Sequence, residues 1–248
     1  MTPRDIVVIG ASAGGVTALM ELASGLPREF PAALFVVVHS SPDSPGFLPE
    51  IVSRAGPLPA AHAVDGERFS HGRFYIAPPD RHLLVEDGTV RVTRGPSENG
   101  FRPAVDPLFR TAARSHGARV VGVVLSGALD DGSQGLQVIK DLGGVAIAQH
   151  PDDALIPSMP RGAIRNVGVD HVLPVREMAA VITRLASEPV PEGTHAMSRR
   201  GPRKTDTTEE PPSLQEETPR GPLSPFTCPE CGGTLWETRA PRRAARRR

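Results

Sequence analysis

Residues 6–16 of this 248-residue chain read Ile-Val-Val-Ile-Gly-Ala-Ser-Ala-Gly-Gly-Val, and this stretch decides the fold. An apolar, β-branched run ends in a glycine-rich turn, and a helix-compatible segment, 16–26, follows it. The order predicts a strand, a turn and a helix, which together open an α/β unit. Ser12 lies at the apex of the turn, where the free N–H groups and dipole of the helix favour developing negative charge.

Two functions are compatible with such a turn. It can present a serine nucleophile, or it can cradle the phosphates of a dinucleotide. The glycines suit both, because they admit positive φ and close approach of the backbone. Since glycine-rich turns after a first strand are common in dinucleotide-binding proteins, this stretch alone slightly favours the second function.

Composition limits the choice of partners and compartment. The chain has 28 basic and 28 acidic residues, so its net charge predicts neither a nucleic-acid partner nor membrane attachment. An Arg-rich tip, 242–248, is interpreted as a solvated tail. No apolar run is long enough to insert into a membrane, and the first residues lack a signal-peptide pattern. Because the two cysteines form one C-x-x-C rather than a disulfide framework, we expect a cytoplasmic protein.

Predicted strands and helices alternate along residues 1–186. Strands are predicted at 33–38, 120–125, 144–148 and 172–173, and helices at 105–115, 133–142 and 176–186. A helix of about ten residues that includes Leu48, Ile51 and Val52 is also predicted, and a short helix within 153–165. The strands are almost continuously apolar, which is typical of a parallel sheet buried on both faces. Short runs between 73 and 92, with an Asp87-Gly88 turn, predict an antiparallel insert. We therefore expect an α/β fold with a Rossmann-like, doubly wound, mainly parallel sheet and a small antiparallel hairpin.

The character of the chain changes after residue 186. Residues 187–225 are rich in Pro, Glu and Thr and poor in large apolar residues, which predicts a disordered linker. Residues 226–248 contain Cys228 and Cys231, spaced like one half of a zinc ribbon, followed by the Arg-rich tail. Zinc takes four ligands, and the chain has no second pair of cysteines. These two cysteines are therefore a candidate zinc site shared between chains, or else an inert knuckle.

Three polar residues come at the predicted carboxyl ends of strands, where ligands bind in open α/β sheets: Ser12, His39 and Asp131. A hydroxyl needs a base to become a nucleophile, an imidazole can be that base, and a carboxylate can orient the imidazole. Each residue by itself has an ordinary structural role in a turn or at the surface. Their joint placement favours a triad, and a dinucleotide site would instead have an acidic residue where His39 stands.

Several motifs in one order resemble the CheB-type protein-glutamate methylesterase domain over about residues 5–186. They are the segments 10–15, 75–82, 102–109, 125–132 and 158–161, together with the histidine after the second strand. The resemblance implies a Rossmann-like serine hydrolase that removes methyl esters from glutamate side chains of chemoreceptors. It also implies glutamine deamidation as a second activity, and it implies no cofactor for catalysis.

By position, the resemblance makes Ser12 the nucleophile, His39 the general base and Asp131 the residue that orients His39. The backbone N–H of Ala128 matches the family's oxyanion donor. Leu129 stands where the family usually has glycine, and a turn that needs positive φ would be strained there. This departure keeps an alternative open, a non-catalytic docking module whose oxyanion hole is disabled.

The same resemblance suggests three substrate-proximal residues, Ala13, Arg81 and Met159. The implied partner is a methylated receptor or signalling protein. Members of the family usually carry a phosphorylatable receiver domain before the catalytic one, whereas here the first strand begins almost at residue 1. We therefore expect either control by a separate receiver or kinase partner, or constitutive activity.

Overall fold

The computed structural model describes residues 3–190 and, for the backbone alone, residues 223–227 and 234–236. The chain divides into two compact units, Met1–Gly201 and Pro202–Arg248. Cys228 and Cys231 lie outside the described residues, as do most of the predicted linker and the Arg-rich tail. The zinc hypothesis therefore stays a prediction.

The first unit alternates strands and helices. Its strands are β1 (Ile6–Ala11), β2 (Ala33–Val38), β3 (Ala60–His62), β4 (Arg73–Ile76), β5 (His82–Glu86), β6 (Thr89–Thr93), β7 (Val120–Val124), β8 (Val145–Gln149) and β9 (His171–Leu173). Its helices are α1 (Gly15–Ser24), α2 (Leu48–Ala55), α3 (Val105–His116), α4 (Ser133–Asp141), α5 (Ser158–Asn166) and α6 (Val175–Ser187), with a short 3₁₀ turn at Gly117–Arg119. None of the helices in the described part of the chain has the length and apolar character needed to cross a membrane.

Seven of these strands form one sheet in the order β3-β4-β2-β1-β7-β8-β9. Every neighbouring pair in it is parallel. Strand β1 lies between β2, the next strand along the chain, and β7, to which the chain crosses later. The chain thus adds strands first on one side of β1 and then on the other, and this change of side opens a crevice at the carboxyl ends of β1, β2 and β7. Ligands bind in such a crevice in sheets of this kind. The predicted Rossmann-like, doubly wound sheet is confirmed.

Both faces of the sheet are covered, which explains why its central strands are continuously apolar. Val7 and Ile9 of β1 pack into a layer with α1, α2 and α6. Ile6 and Val8, which point to the opposite face, pack into a second layer with α3, α4 and α5. Gly10 matters for this second layer, since a Cβ there would overlap the side chain of Val105. The missing side chain lets the start of α3 approach the end of β1.

Two features of the sheet differ from the prediction. Residues 73–77 were predicted as part of the antiparallel insert, but 73–76 form β4, which pairs in parallel with β2 in the main sheet. Phe74, Tyr75 and Ile76 are completely or almost completely buried, which is typical of a strand covered on both faces. The insert is only the β5–β6 hairpin, whose turn at Asp87-Gly88 is confirmed. Strand β3 was missed because Ala60–His62 has no β-branched residue and only half-buried positions.

The second unit contains two short strands, β10 (Leu223–Thr227) and β11 (Thr234–Trp236). They pair antiparallel with an irregular register. Residues 223–225, predicted as the end of the linker, are the first residues of β10. In the first unit, α6 ends at Ser187, and an isolated bridge joins Pro3 to Pro189.

Candidate active site

Ser12 is held at the carboxyl end of β1 by its own backbone. Its N–H donates to the carbonyl of Ser126 (2.9 Å), and its carbonyl accepts the N–H of Gly15 (2.9 Å). Gly14 has φ of 76°, in the left-handed region that glycine tolerates, and it turns the chain directly into α1. Ser12 therefore lies beside the first turn of α1, whose free N–H groups favour negative charge.

His39 lies next to Ser12 because β1 and β2 are parallel and in register. Ala11 pairs with Val38, and the N–H of His39 donates to the carbonyl of Ala11 (3.0 Å). The next residues along the two strands are Ser12 and His39, and neighbouring strands are about 4.8 Å apart. The sheet register thus brings together two residues that are distant in sequence.

The His39 ring is almost completely buried, and its two nitrogens have different environments. Nε2 lies 2.7 Å from Asp131 Oδ2. Nδ1 is buried and has no hydrogen-bond partner among the described residues. With a proton on Nε2, Nδ1 carries a lone pair and can accept the hydroxyl proton of Ser12. No hydrogen bond joins Ser12 Oγ to a described residue, and catalytic hydrogen bonds in free enzymes often tighten only when substrate binds.

Asp131 receives hydrogen bonds on both carboxylate oxygens. Besides His39, the donors are the backbone N–H groups of Val105 (2.7 Å) and Asp106 (3.2 Å) and the Asn99 side-chain amide (2.8 Å). The backbone donors belong to the first turn of α3, where the helix dipole favours a negative charge. Burial alone would raise the pKa of Asp131, but the hydrogen bonds from His39, Val105 and Asn99 outweigh burial and hold this pKa below its usual value. The carboxylate is therefore ionised and oriented.

A second buried carboxylate, Asp106, lies beside the first. It accepts the N–H of Gly135 (2.6 Å) and one N–H of the Asn99 amide (2.9 Å). Burial and the negative charge of Asp131 raise the pKa of Asp106, although the hydrogen bond from Gly135 opposes the shift. Asn99 thus donates one proton to each carboxylate.

Asn99 reaches this position through a tight turn at residues 98–101. Glu98 and Phe101 exchange backbone hydrogen bonds (3.1 and 2.9 Å), and Asn99 and Gly100 both have positive φ (53° and 81°). This is the geometry that Asn-Gly pairs favour in two-residue turns. The turn also stacks Phe101 on the His39 ring, with centroids 3.6 Å apart and planes 10° apart. Sequence reasoning missed both residues, and the Asn-Gly pair was the available signal.

The predicted oxyanion segment follows β7. The N–H of Gly127 donates to Ile156 (2.9 Å) and its carbonyl accepts the N–H of Met159 (2.9 Å). The Ala128 N–H donates to no residue that the structure describes. Leu129 has φ of 64°, so the turn keeps the left-handed conformation although the residue is not glycine. The role of Ala128 as oxyanion donor stays a prediction, with a free N–H compatible with it.

The three residues predicted near the substrate have different surroundings. Ala13 is exposed next to Ser12, and its carbonyl accepts the Ser126 hydroxyl (2.8 Å). Met159 is completely buried, with its sulfur packed against Gly127. Arg81 is partly exposed and forms no ion pair with any described residue. Ala13 is therefore the one of the three that borders Ser12 at the surface, and Met159 lies beneath the oxyanion segment.

Comparisons with known proteins show the family of the chain. The family model described as CheB methylesterase matches residues 7–182. The chain belongs to the CheB methylesterase family. The crystal structure of the Thermotoga maritima CheB methylesterase catalytic domain superposes with a TM-score of 0.70 and 32% identity, covering 75% of this chain and 100% of that one. The matched region contains every residue of the candidate active site.

Curated relatives of this CheB-family chain carry two activities in their names. A protein-glutamate methylesterase/protein-glutamine glutaminase of Anaeromyxobacter dehalogenans is 40% identical over 181 residues, 73% of this chain and 53% of that protein. A putative enzyme of the same name from Leptospira interrogans serovar Lai is 38% identical over 182 residues, 73% of this chain and 94% of that protein. The chain thus spans about half the length of the first relative and almost all of the second.

Proposed function

We propose that the chain is a serine hydrolase that removes methyl groups from glutamate γ-methyl esters of chemoreceptor-like signalling proteins. The observation that carries this proposal is the His39–Asp131 hydrogen bond (2.7 Å) next to Ser12 at the end of the neighbouring strand. Family membership and the names of the relatives support the ester and the protein substrate. The two cysteines form one C-x-x-C rather than a disulfide framework, which suits a cytoplasmic protein, and the family suits a role in chemotaxis signalling.

The mechanism we propose is acyl transfer in two steps. Ser12 Oγ attacks the γ-carbonyl carbon of the ester while His39 Nδ1 takes the hydroxyl proton. When the resulting tetrahedral adduct breaks down, His39 returns the proton to the departing methoxy oxygen, so methanol leaves and Ser12 keeps the glutamyl acyl group. Water then attacks the acyl carbon, with His39 as base. This step releases the polypeptide with a free glutamate side-chain carboxylate and restores the Ser12 hydroxyl.

The surroundings of the triad would support both steps. Asp131 holds the proton on Nε2 of His39, leaves Nδ1 free for Ser12, and stabilises the imidazolium that forms. The oxyanion would accept the N–H of Ala128 beside the positive end of α1. Removing one such donor in other hydrolases lowers the rate about 100- to 1,000-fold. A glutamine amide could follow the same path with ammonia as the leaving group, which would give the glutaminase activity in the relatives' names.

The test is methanol release from a methylated receptor fragment. We expect release by the wild type, loss in Ser12→Ala, and unchanged release in Ser24→Ala, whose exposed hydroxyl is at the far end of α1. A serine-directed fluorophosphonate should label the wild type and not Ser12→Ala. If the wild type shows neither methanol release nor labelling, the hydrolase proposal is overturned and the docking module is favoured. Addition of a phosphorylated receiver protein tests whether a separate partner controls the rate.

A further inference from the structure

Large apolar side chains are rarely exposed in the described part of this chain, and the exposed ones are unevenly distributed. The four most exposed are Leu155 (75%), Phe47 (62%), Val64 (62%) and Leu129 (61%). Three of them, Phe47, Leu129 and Leu155, border the candidate active site, and we call them the apolar rim. Exposed apolar groups concentrated at one place on a surface mark an interaction site.

Leu155 is fastened beside the Ser12 turn. A Cβ at Gly14 would lie 2.7 Å from Leu155 Cβ, so the side chain covers the start of α1. The Ser126 hydroxyl fixes this contact by accepting the Ile156 N–H (2.9 Å) and donating to the carbonyl of Ala13 (2.8 Å). Leu155 therefore keeps a defined position next to the nucleophile although its side chain is in solvent.

Leu129 is presented by an unfavourable backbone conformation. It directly follows Ala128, and its φ of 64° is one that β-carbon-bearing residues rarely adopt. Its side chain packs into no core layer and is mostly exposed. A strained residue at a candidate oxyanion turn suggests that the exposed leucine has a use there.

Phe47 borders a cavity of about 270 Å³ on the other side of Ser12. The His39 ring forms part of its wall, and the apolar side chains of Val16, Leu48 and Ile51 form another part. The Gly46 carbonyl next to Phe47 lies 2.9 Å from His62 Nε2, which holds this loop in place. The cavity is therefore an apolar subsite that opens beside the catalytic imidazole.

The apolar rim extends to both sides of the nucleophile. Phe47 belongs to the β2–α2 loop and Leu155 to the β8–α5 loop, and the sheet order puts β2 and β8 on opposite sides of β1. β2 and β8 are three strand spacings apart, roughly 14 Å, which is longer than a methyl ester group bound at Ser12. We propose that the apolar rim and the cavity bind aliphatic side chains that flank the esterified glutamate in the substrate polypeptide. This inference rests on the proposed function.

The test compares two synthetic peptides with one glutamate γ-methyl ester, flanked by leucines in one and by serines in the other. Binding is measured by fluorescence anisotropy to Ser12→Ala protein, so that turnover does not interfere. We expect the leucine peptide to bind at least tenfold more tightly than the serine peptide. Phe47→Ser or Leu155→Ser should each weaken its binding about tenfold and leave binding of the serine peptide unchanged. Val64→Ser, with a matched exposure but outside the cavity and the apolar rim, is the control.

The same substitutions in the active protein separate this inference from the proposed function. Phe47→Ser and Leu155→Ser should raise the KM for methanol release from the leucine peptide about tenfold, with kcat and fluorophosphonate labelling of Ser12 unchanged. Equal binding of the two peptides, or equal effects of Val64→Ser and Phe47→Ser, would contradict the proposed binding role of the apolar rim. The hydrolase proposal would be unaffected. Tight, Phe47-dependent binding without methanol release would support the binding role of the apolar rim and contradict the hydrolase proposal.

Discussion

Asn99 Nδ2 lies 2.8 Å from Asp131 Oδ1 and 2.9 Å from Asp106 Oδ2, and it donates one proton to each of these oxygens. One neutral side chain therefore separates two buried carboxylates and helps to orient the one that contacts His39. The pKa of Asp131 is lowered and that of Asp106 is raised, so Asp131, the carboxyl group beside the imidazole, gives up its proton at the lower pH of the two.

We expect Asn99→Ala to lower kcat/KM for methanol release about 10- to 100-fold, because a hydrogen bond to a charged group contributes about 1.5–3 kcal/mol. Loss of this hydrogen bond raises the pKa of Asp131, so Asp131 loses its charge at a higher pH. The acidic limb of the pH profile of kcat/KM should therefore move to higher pH. Asn166→Ala, which removes an exposed amide on α5, is the control. An unchanged pH profile would contradict the role of Asn99.

Phe101 stacks on the His39 ring with a centroid separation of 3.6 Å. Stacking of two rings contributes about 0.5–1.5 kcal/mol beyond area burial, so Phe101→Ala should lower kcat about 2- to 10-fold. Phe101→Tyr, which keeps the ring, should retain most of the activity. Thermal unfolding of both variants would detect any general loss of stability. A wild-type kcat in Phe101→Ala would exclude a positioning role for the stack.

Leu129 stores backbone strain that a substitution can release. Left-handed φ costs a residue with a Cβ about 1–2 kcal/mol, whereas glycine loses about 0.5–1 kcal/mol through its freer unfolded chain. Leu129→Gly should therefore raise the free energy of unfolding by up to about 1.5 kcal/mol in urea titrations. Leu129→Val should lower it, because β-branched residues tolerate positive φ poorly.

Leu155→Gly is the matched comparison for Leu129, since Leu155 is also exposed but does not have positive φ. Without strain to release, this variant should be less stable than the wild type. If Leu129→Gly and Leu155→Gly destabilise equally, the strain at Leu129 is refuted.

Asp5 and Arg119 form a two-pronged ion pair at the opposite end of the sheet, with Nε–Oδ1 at 2.8 Å and Nη2–Oδ2 at 2.7 Å. Burial alone would raise the pKa of Asp5, but the hydrogen bonds and charge of Arg119 outweigh burial and lower it. Arg119→Ala should reduce the free energy of unfolding by about 1.5–3 kcal/mol at neutral pH.

The sign of the pH dependence follows from the lowered pKa of Asp5. The contribution of ionised Asp5 to the free energy of unfolding is complete above the unfolded-state pKa of about 3.9. This contribution is lost as the pH falls through the lower pKa of Asp5 in the native state. The difference between wild type and Arg119→Ala should therefore shrink below about pH 4. Arg91→Ala, which breaks the exposed pair with Asp65, should have a much smaller effect at every pH. A constant difference from pH 7 to pH 3 would argue against this account.

Much of the sheet could be predicted from the sequence because each central strand is identified by a short run of adjacent apolar residues. β1, β2 and β7 are uninterrupted apolar runs, and each precedes a polar residue or segment. Parallel strands align their carboxyl ends, so the sequence by itself predicted that Ser12, His39 and Asp131 lie at one edge. Strand β4 was assigned to the wrong element because the neighbouring β5–β6 hairpin suggested a common antiparallel insert.

The sequence by itself determined the fold class, the family and the three candidate catalytic residues, since each depends on short patterns of adjacent residues. Only the tertiary structure decided that Asn99 joins Asp131 to Asp106, that Phe101 covers His39, and that Phe47 and Leu155 flank Ser12 from separate loops. The physical reason is that these relationships join segments distant along the chain. Packing of the helices and loops on the sheet brings them together, and no local pattern records which side chains then meet.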